Sequence, residues 1–260
     1  MAKGILGAQL FTCRAFCKTI EGVAETFRKV ARIGYSSAQV SGFGPVDPKD
    51  VAAAAGDAGV AIAATHMGWD RFLSELDDVI ETHKIWGCSH PAIGGLPRDY
   101  HNAGADGVKR FIEELTPVAE RLAAEGMDFS YHNHAHELVK YGADDRPWLE
   151  ILYDRAPAEI LKAEIDTHWI AAGGGDPAQW VRDCAGREPL LHLKDFAMDA
   201  EDGRRFAEIG EGNLNWAPIL AAAEEGGVEY YLIEQDDCYG RDPFESLAIS
   251  YRNLTAMGLK

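Results

Sequence analysis

The sequence predicts an α/β protein of one domain, residues 1–260, folded as a (β/α)8 or TIM barrel, on three observations. Strand-like and helix-like stretches take turns along the whole chain, and the strand candidates number eight. Several of them are apolar throughout, as strands buried on both faces of a parallel sheet are. The third is length, since 260 residues is the usual span of eight strand-helix units in one domain. The strand candidates are residues 5–11, 37–40, 61–65, 89–93, 129–132, 161–165, 190–193 and 230–233.

Helical patterns fill the intervals. The clearest sets Val108, Phe111, Ile112, Leu115, Val118, Ala119 and Leu122 along one stripe at spacings of three and four. Further helices are expected over residues 19–33, 71–86, 147–154 and 213–225. Asp47-Pro48, Asp176-Pro177 and Asp242-Pro243 have the form of helix starts, with Asp capping free backbone N–H groups and Pro at the first helical position. The alternative α/β architecture, a doubly wound open sheet, usually carries a glycine-rich phosphate turn after its first strand, and Phe11-Thr12-Cys13-Arg14 is not one. Gly173-Gly174-Gly175 follows the sixth strand candidate and precedes an Asp-Pro start, which suits a flexible strand-to-helix loop.

Composition excludes several classes. Charged residues are 26% and hydrophobic ones 47%, so neither a disordered nor a fibrous chain is indicated. A net charge of −17 with no Lys/Arg cluster opposes binding to nucleic acid or anionic lipid and is compatible with cations. No apolar run approaches 18 residues and the N-terminus lacks a signal-peptide pattern, so a cytoplasmic protein without membrane contact is expected. Cysteines at 13, 17, 88, 184 and 238 are odd in number and contain no Cys-x-x-Cys pair, which argues against a disulfide framework.

In a barrel the ends of all strands surround one mouth, where such folds hold their active sites. Polar residues recur at those ends. His66 follows the third strand and Met127 to Glu137 carries His132, His134, His136 and Glu137 at the fifth. Asp166-Thr167-His168-Trp169 follows the sixth, His192-Leu193-Lys194-Asp195 the seventh, and Glu234-Gln235-Asp236-Asp237 the eighth. If the fifth strand continues through its histidines, the period of two puts His132, His134 and His136 on one face. A surface histidine loop, a satisfied core His192 or a capping Asp166 would each explain one feature; five at the same register of the repeat point to a metal-assisted site.

Five segments carry a resemblance to the sugar phosphate isomerase/epimerase superfamily, the xylose isomerase-like barrels also called AP endonuclease family 2-like. They are Tyr131-His132-Asn133-His134, Asp166 to Trp169 with Gly173 to Pro177, Leu191 to Asp195, Gly210-Glu211-Gly212-Asn213-Leu214-Asn215-Trp216, and Glu234-Gln235-Asp236 followed by Asp242-Pro243-Phe244. The resemblance implies one metal ion held at the ends of strands five to eight, with Asp166, His192 and Glu234 matching three of the four family ligands. The fourth is Glu in many relatives and His132 here, while Glu137 lies five residues on.

Mixed nitrogen and oxygen donors suit Mn²⁺, the favoured ion, or Co²⁺, Fe²⁺ or Zn²⁺. The implied reaction is isomerisation or epimerisation of a keto-sugar through a metal-stabilised enediolate, with a lyase that eliminates from 3-keto-glycosides as the alternative and DNA repair as a remote one. His134 is the candidate proton shuttle with Glu234, and Lys194, two residues from His192, the candidate oxyanion holder or a salt-bridge partner. His66, Glu137, His168 and Trp169 are the candidate sugar-binding residues, and Arg204 or Arg205 the candidates for a phosphate. A homodimer is expected by analogy with other barrel enzymes.

Overall fold

The computed structural model describes residues 4–141 and 145–259. Eight parallel strands close into a barrel in the order β1-β10-β7-β6-β5-β4-β3-β2. They are β1 (Ile5–Gln9), β2 (Ser37–Val40), β3 (Ala61–His66), β4 (His90–Ile93), β5 (Ser130–His132), β6 (Lys162–Asp166), β7 (Leu190–Leu193) and β10 (Tyr230–Ile233). Each of the eight expected strands is present, with ends shifted by a residue or two. β1 stops at Gln9 because its side chain accepts from Phe11 N at 2.6 Å, and the chain turns into a short 3-10 helix at Leu10–Cys13.

The element that the hydrophobic pattern did not indicate is an antiparallel hairpin, β8 (Asp195–Asp199) and β9 (Gly203–Ala207), inserted after β7. Its strands are largely half-buried, so they lack the apolar runs of the barrel strands; the turn is fixed by Asp199, whose carboxylate accepts from Glu201 N and Asp202 N. The helix expected over 71–86 is two helices, Trp69–Ser74 and Leu76–Trp86, broken at Glu75. The three Asp-Pro starts are as read: Asp47, Asp176 and Asp242 each accept from a backbone N–H two residues on. All five cysteines are free. Among the described residues no helix is long and apolar enough to cross a membrane.

Most of the apolar core lies between the barrel and its helices. The helix Gly104–Ala123 buries Val108, Phe111, Leu115, Val118, Ala119 and Leu122 against it. A separate small apolar cluster, Ala64, Leu190 and Leu232, fills the lower barrel interior. Gly7 is needed there, since a Cβ would stand 2.7 Å from Ser37 Oγ and 2.8 Å from Leu232 Cδ2. Because side chains alternate along a strand, the residues two places on from this layer also point inward. His66, His192 and Glu234 stand above Ala64, Leu190 and Leu232, so the layer above the apolar one is polar.

The glycine-rich segment 210–216 has a structural purpose. It wraps the buried Asp195 carboxylate, which accepts from Gly210 N (3.0 Å), Gly212 N (3.3 Å), Leu214 N (3.2 Å) and Trp216 Nε1 (2.8 Å). A Cβ on Gly212 would lie 2.3 Å from Asp195 Oδ1 and 2.4 Å from Phe196 O. Gly212→Ala is therefore expected to destabilise the fold by about 2 kcal/mol or more, read by urea denaturation.

His83 joins the helical layer to β3: one ring nitrogen lies 2.7 Å from Val79 O and the other 2.8 Å from Thr65 Oγ1. Burial pushes its pKa down to about 4. The unfolded chain then binds this proton at higher pH than the native one, so the contribution is intact above pH 6.5 and lost as pH falls toward 4. Between pH 7 and 4.5, wild type should lose about 2–3 kcal/mol more than His83→Gln in denaturant titrations.

Candidate metal centre

Four strand ends bring four donors together. His132 is the last residue of β5, Asp166 the last of β6, His192 lies within β7 and Glu234 follows β10. All four are buried, and one ligand atom from each lies within 4.8 Å of the others. His132 Nε2 is 3.2 Å from Asp166 Oδ2, and His192 Nδ1 is 3.1 Å from Glu234 Oε2 and 3.9 Å from Asp166 Oδ2.

Asp166 serves two structures at once. Its Oδ1 accepts from Trp169 N at 2.9 Å, capping the short helix Thr167–Ala172, while Oδ2 faces the donors. Asn133, on the opposite side of the chain from His132, accepts from Asp166 N at 2.9 Å through its side chain and so fixes the β5 and β6 ends to each other.

Beneath the four donors is a carboxylate that sequence reasoning did not single out. Glu164 on β6, fully buried, reaches His192 Nε2 at 3.1 Å, His66 Nε2 at 2.7 Å and Gln39 Nε2 at 2.6 Å. Gln39 Oε1 also holds His192 Nε2 at 2.7 Å. Its sequence signal was its place two residues before Asp166 on the same strand face, hidden inside an otherwise ordinary strand. His66 thus braces the centre from below: its ring stacks on His192 at 5.2 Å and lies 4.9 Å from His132. It also borders a cavity of about 470 Å³ walled by Val40, Phe43, Met67, Arg71 and Trp86.

Lys194 lies among the carboxylates, its Nζ 2.7 Å from Glu234 Oε2, 3.0 Å from Asp166 Oδ2 and 3.1 Å from Asp236 Oδ2. Burial alone would discharge these groups; their proximity overrides it. Burial lowers and Asp166 and Glu234 raise the Lys194 pKa, with a net rise. For His192, burial is outweighed by Glu164 and Glu234, which bring it up to about 10. Asp166 is correspondingly depressed despite burial, chiefly by Lys194. Asp236, another residue to which no role was given in advance, is pushed up to about 6 by burial and the Glu234 charge.

His134 and His136 correct the strand reading. β5 ends at His132, His134 caps the 3-10 turn Ala135–Leu138, and His136 lies within that turn, so the three rings share no strand face. His134 stands 5.0 Å from the His132 ring and 5.3 Å from Trp169, its Nδ1 buried without a partner. Burial, then His132 and Lys194, push it down to about 2. Glu137 does not join the four donors. It is fully buried, with Oε1 accepting from Tyr131 Oη at 2.9 Å and Oε2 from His134 N at 2.8 Å, so it is turned into the wall rather than toward a substrate.

The hairpin covers one side of the mouth. Phe206 lies 4.7 Å from the His168 ring and 5.9 Å from Trp169; both ring nitrogens of His168 and the indole Nε1 of Trp169 are buried without partners. Arg204 is exposed above Trp169 at 5.9 Å from its ring centre, whereas Arg205 pairs with Asp199 and Asp202.

The residues fit a divalent ion. The donors are two imidazoles and two carboxylates, convergent and dry. His192 has its Nε2 fixed by Gln39 and Glu164, which leaves Nδ1 toward the other donors, the arrangement by which an outer carboxylate orients a ligating imidazole. At present His132 Nε2 meets Asp166, and Glu234 Oε2 meets His192 and Lys194, contacts that a shared ion would replace.

The family model for xylose isomerase-like TIM barrels matches residues 27–243. No curated protein matches. Among solved structures, a sugar phosphate isomerase/epimerase from Parabacteroides distasonis superposes with a TM-score of 0.81 at 22% identity, over 99% of this chain and 96% of that one. An L-ribulose 3-epimerase superposes with a TM-score of 0.72 at 16% identity, over 98% and 94%. A probable 3-DHS dehydratase from Bacillus anthracis does so with a TM-score of 0.68 at 13% identity, over 96% and 98%. These superpositions establish a common fold, and the family match over most of the chain places this protein in the xylose isomerase-like TIM barrel family.

Proposed function

We propose that the protein is a divalent-metal-dependent isomerase or epimerase of a keto-sugar, acting by proton transfer next to the carbonyl through an enediolate. The observation that carries this reading is the convergence of His132, Asp166, His192 and Glu234 at the barrel mouth, with Lys194 and His134 beside them. An ion held by the four donors, Mn²⁺ by preference, supplies positive charge beside an α-hydroxy carbonyl and acidifies the intervening C–H.

The chain's own groups supply the rest. Glu234, kept ionised mainly by Lys194 and His192 against its burial, is both donor and proton acceptor. His134, beside His132 and with an Nδ1 that has no partner, is the group placed to pass the proton to or from the other face. Lys194 holds developing negative charge on oxygen. Trp169 offers an aromatic face to the ring's C–H side, with the buried His168 ring packed edge-on against it. His66 acts through His192 rather than on the sugar.

Elimination is the second reading, favoured by the imidazole of His132 in place of a fifth-strand carboxylate. That change leaves Glu234 without the opposed glutamate that a two-glutamate epimerisation uses. The solved 3-DHS dehydratase shares the fold and bears the name of an eliminating enzyme.

Replacing Asp166 by Asn should abolish tight metal binding, measured as metal per chain after dialysis, because one anionic donor of four is lost. His134→Asn should retain the metal and slow solvent exchange of the substrate α-proton by about 10²–10⁴-fold, followed by ¹H NMR in D₂O. Lys194→Met separates the two readings with the same assay on ketoses and 3-keto-glycosides. An eliminase that needs Lys194 for the departing oxygen keeps exchange and loses product, whereas an epimerase loses both together. Wild type loaded with metal that neither exchanges a proton nor forms product from any of these substrates would overturn the enediolate mechanism.

A further inference from the structure

A second cluster lies in the wall beside the mouth, built from two loops. His101 sits in the helix Arg98–Asn102 that follows β4, and His136 and Glu137 in the 3-10 turn after β5. One ligand atom from each lies within 4.8 Å of the others, and none of the three belongs to the mouth centre. His136 Nε2 is 3.3 Å and His101 Nε2 3.9 Å from the same oxygen, Glu137 Oε1. The second separation is too long for a hydrogen bond.

We propose that His101, His136 and Glu137 form a second divalent-cation site, of the kind that takes Zn²⁺ or Co²⁺. Four donors at about 2.0–2.1 Å from a tetrahedral ion stand roughly 3.3–3.4 Å apart; the 3.3 Å separation matches that edge and the 3.9 Å one requires His101 to close on the carboxylate. The two imidazole planes are perpendicular with centres 4.6 Å apart, so their nitrogens approach the oxygen from different directions. Tyr131 Oη, 2.9 Å from Glu137 Oε1 and 3.2 Å from His101 Nε2, either donates to the carboxylate or gives way to a water as fourth ligand.

Charge supplies an independent argument. Glu137 is a fully buried carboxylate, and no Lys or Arg among the described residues pairs with it. A carboxylate buried without a cation either costs stability or takes up a proton, and its neutral neighbours Tyr131 and His134 N offset that only in part, whereas a bound cation would offset it directly. The mouth carboxylates, in contrast, have Lys194. His136 is 44% exposed and gives the ion a way in from solvent. An ion here would clamp the loop after β4 to the turn after β5, and so brace the strand end that carries His132.

The site is tested by titrating the metal-free full chain with Co²⁺, whose visible absorption reports tetrahedral coordination, and by counting equivalents bound. Wild type should bind two, His136→Ala one and Asp166→Asn one, with neither left in the double variant. Because His136 is exposed, its replacement leaves the core intact; circular dichroism checks this, and Asn at 166 can still cap its helix. In addition, Zn²⁺ should raise the melting temperature of Asp166→Asn but not that of the double variant. If His136→Ala binds as many equivalents as wild type, with the same absorption, the second site is refuted whatever the mouth centre does. Loss of one equivalent in His136→Ala alone, with Asp166→Asn unchanged, would support this site and overturn the other.

Discussion

The mouth of this barrel depends on keeping charge in a dry place. Glu164, Asp166 and Glu234 are buried carboxylates within one small volume, and what makes their ionisation tolerable is the presence of Lys194 and His192 among them. A buried carboxylate that loses its counter-charge either takes up a proton or destabilises the fold. The positions of the strand ends, the inward direction of alternate residues and the turn that follows each strand are all constrained by where these few charges have to be. The apolar layer of Ala64, Leu190 and Leu232 below them closes the barrel and keeps water from reaching the centre from that side.

The fold was legible because its signal is periodic and repeated. Each strand candidate needed only a short apolar run, and errors at the ends did not change which residues stood at the mouth. Asp166, His192 and Glu234 were legible for the same reason, since each closes a strand, lies within one or directly follows one. The hairpin Asp195–Ala207 was not: its strands are half exposed and hold together through local pairing and the Asp199 turn, neither of which has an apolar period. The Gly210–Trp216 segment, which carried part of the family resemblance, marks the cage around Asp195 rather than chemistry.

The stretch His132 to Glu137 shows where a strand pattern misleads. Alternation holds only while the chain stays extended, and here it leaves the extended form just after His134, whose backbone N–H donates to Glu137. The turn sends His132 into the mouth and Glu137 into the wall, with His134 between them and His136 at the surface. One short sequence therefore serves two clusters of different character, and a reader who extends the strand assigns all its imidazoles to one. The local signal that was available is Glu137 three residues after His134, the spacing of a reciprocal cap.

Asp166 and Glu164 together explain why the centre is more rigid than four independent side chains would be. Oδ1 of Asp166 is committed to the helix Thr167–Ala172, so the direction of Oδ2 is fixed by a backbone contact rather than by the metal. That same helix carries His168 and Trp169, which are consequently set relative to the donors by the residue they flank. Glu164 does for His192 what the cap does for Asp166, fixing the ring through its far nitrogen. Two donors on adjacent strands are thus oriented by contacts that need no ion, so ordering them adds little to the cost of binding one. The remaining two, His132 and Glu234, hold on through contacts with the other donors and with Lys194, and it is these that have to rearrange.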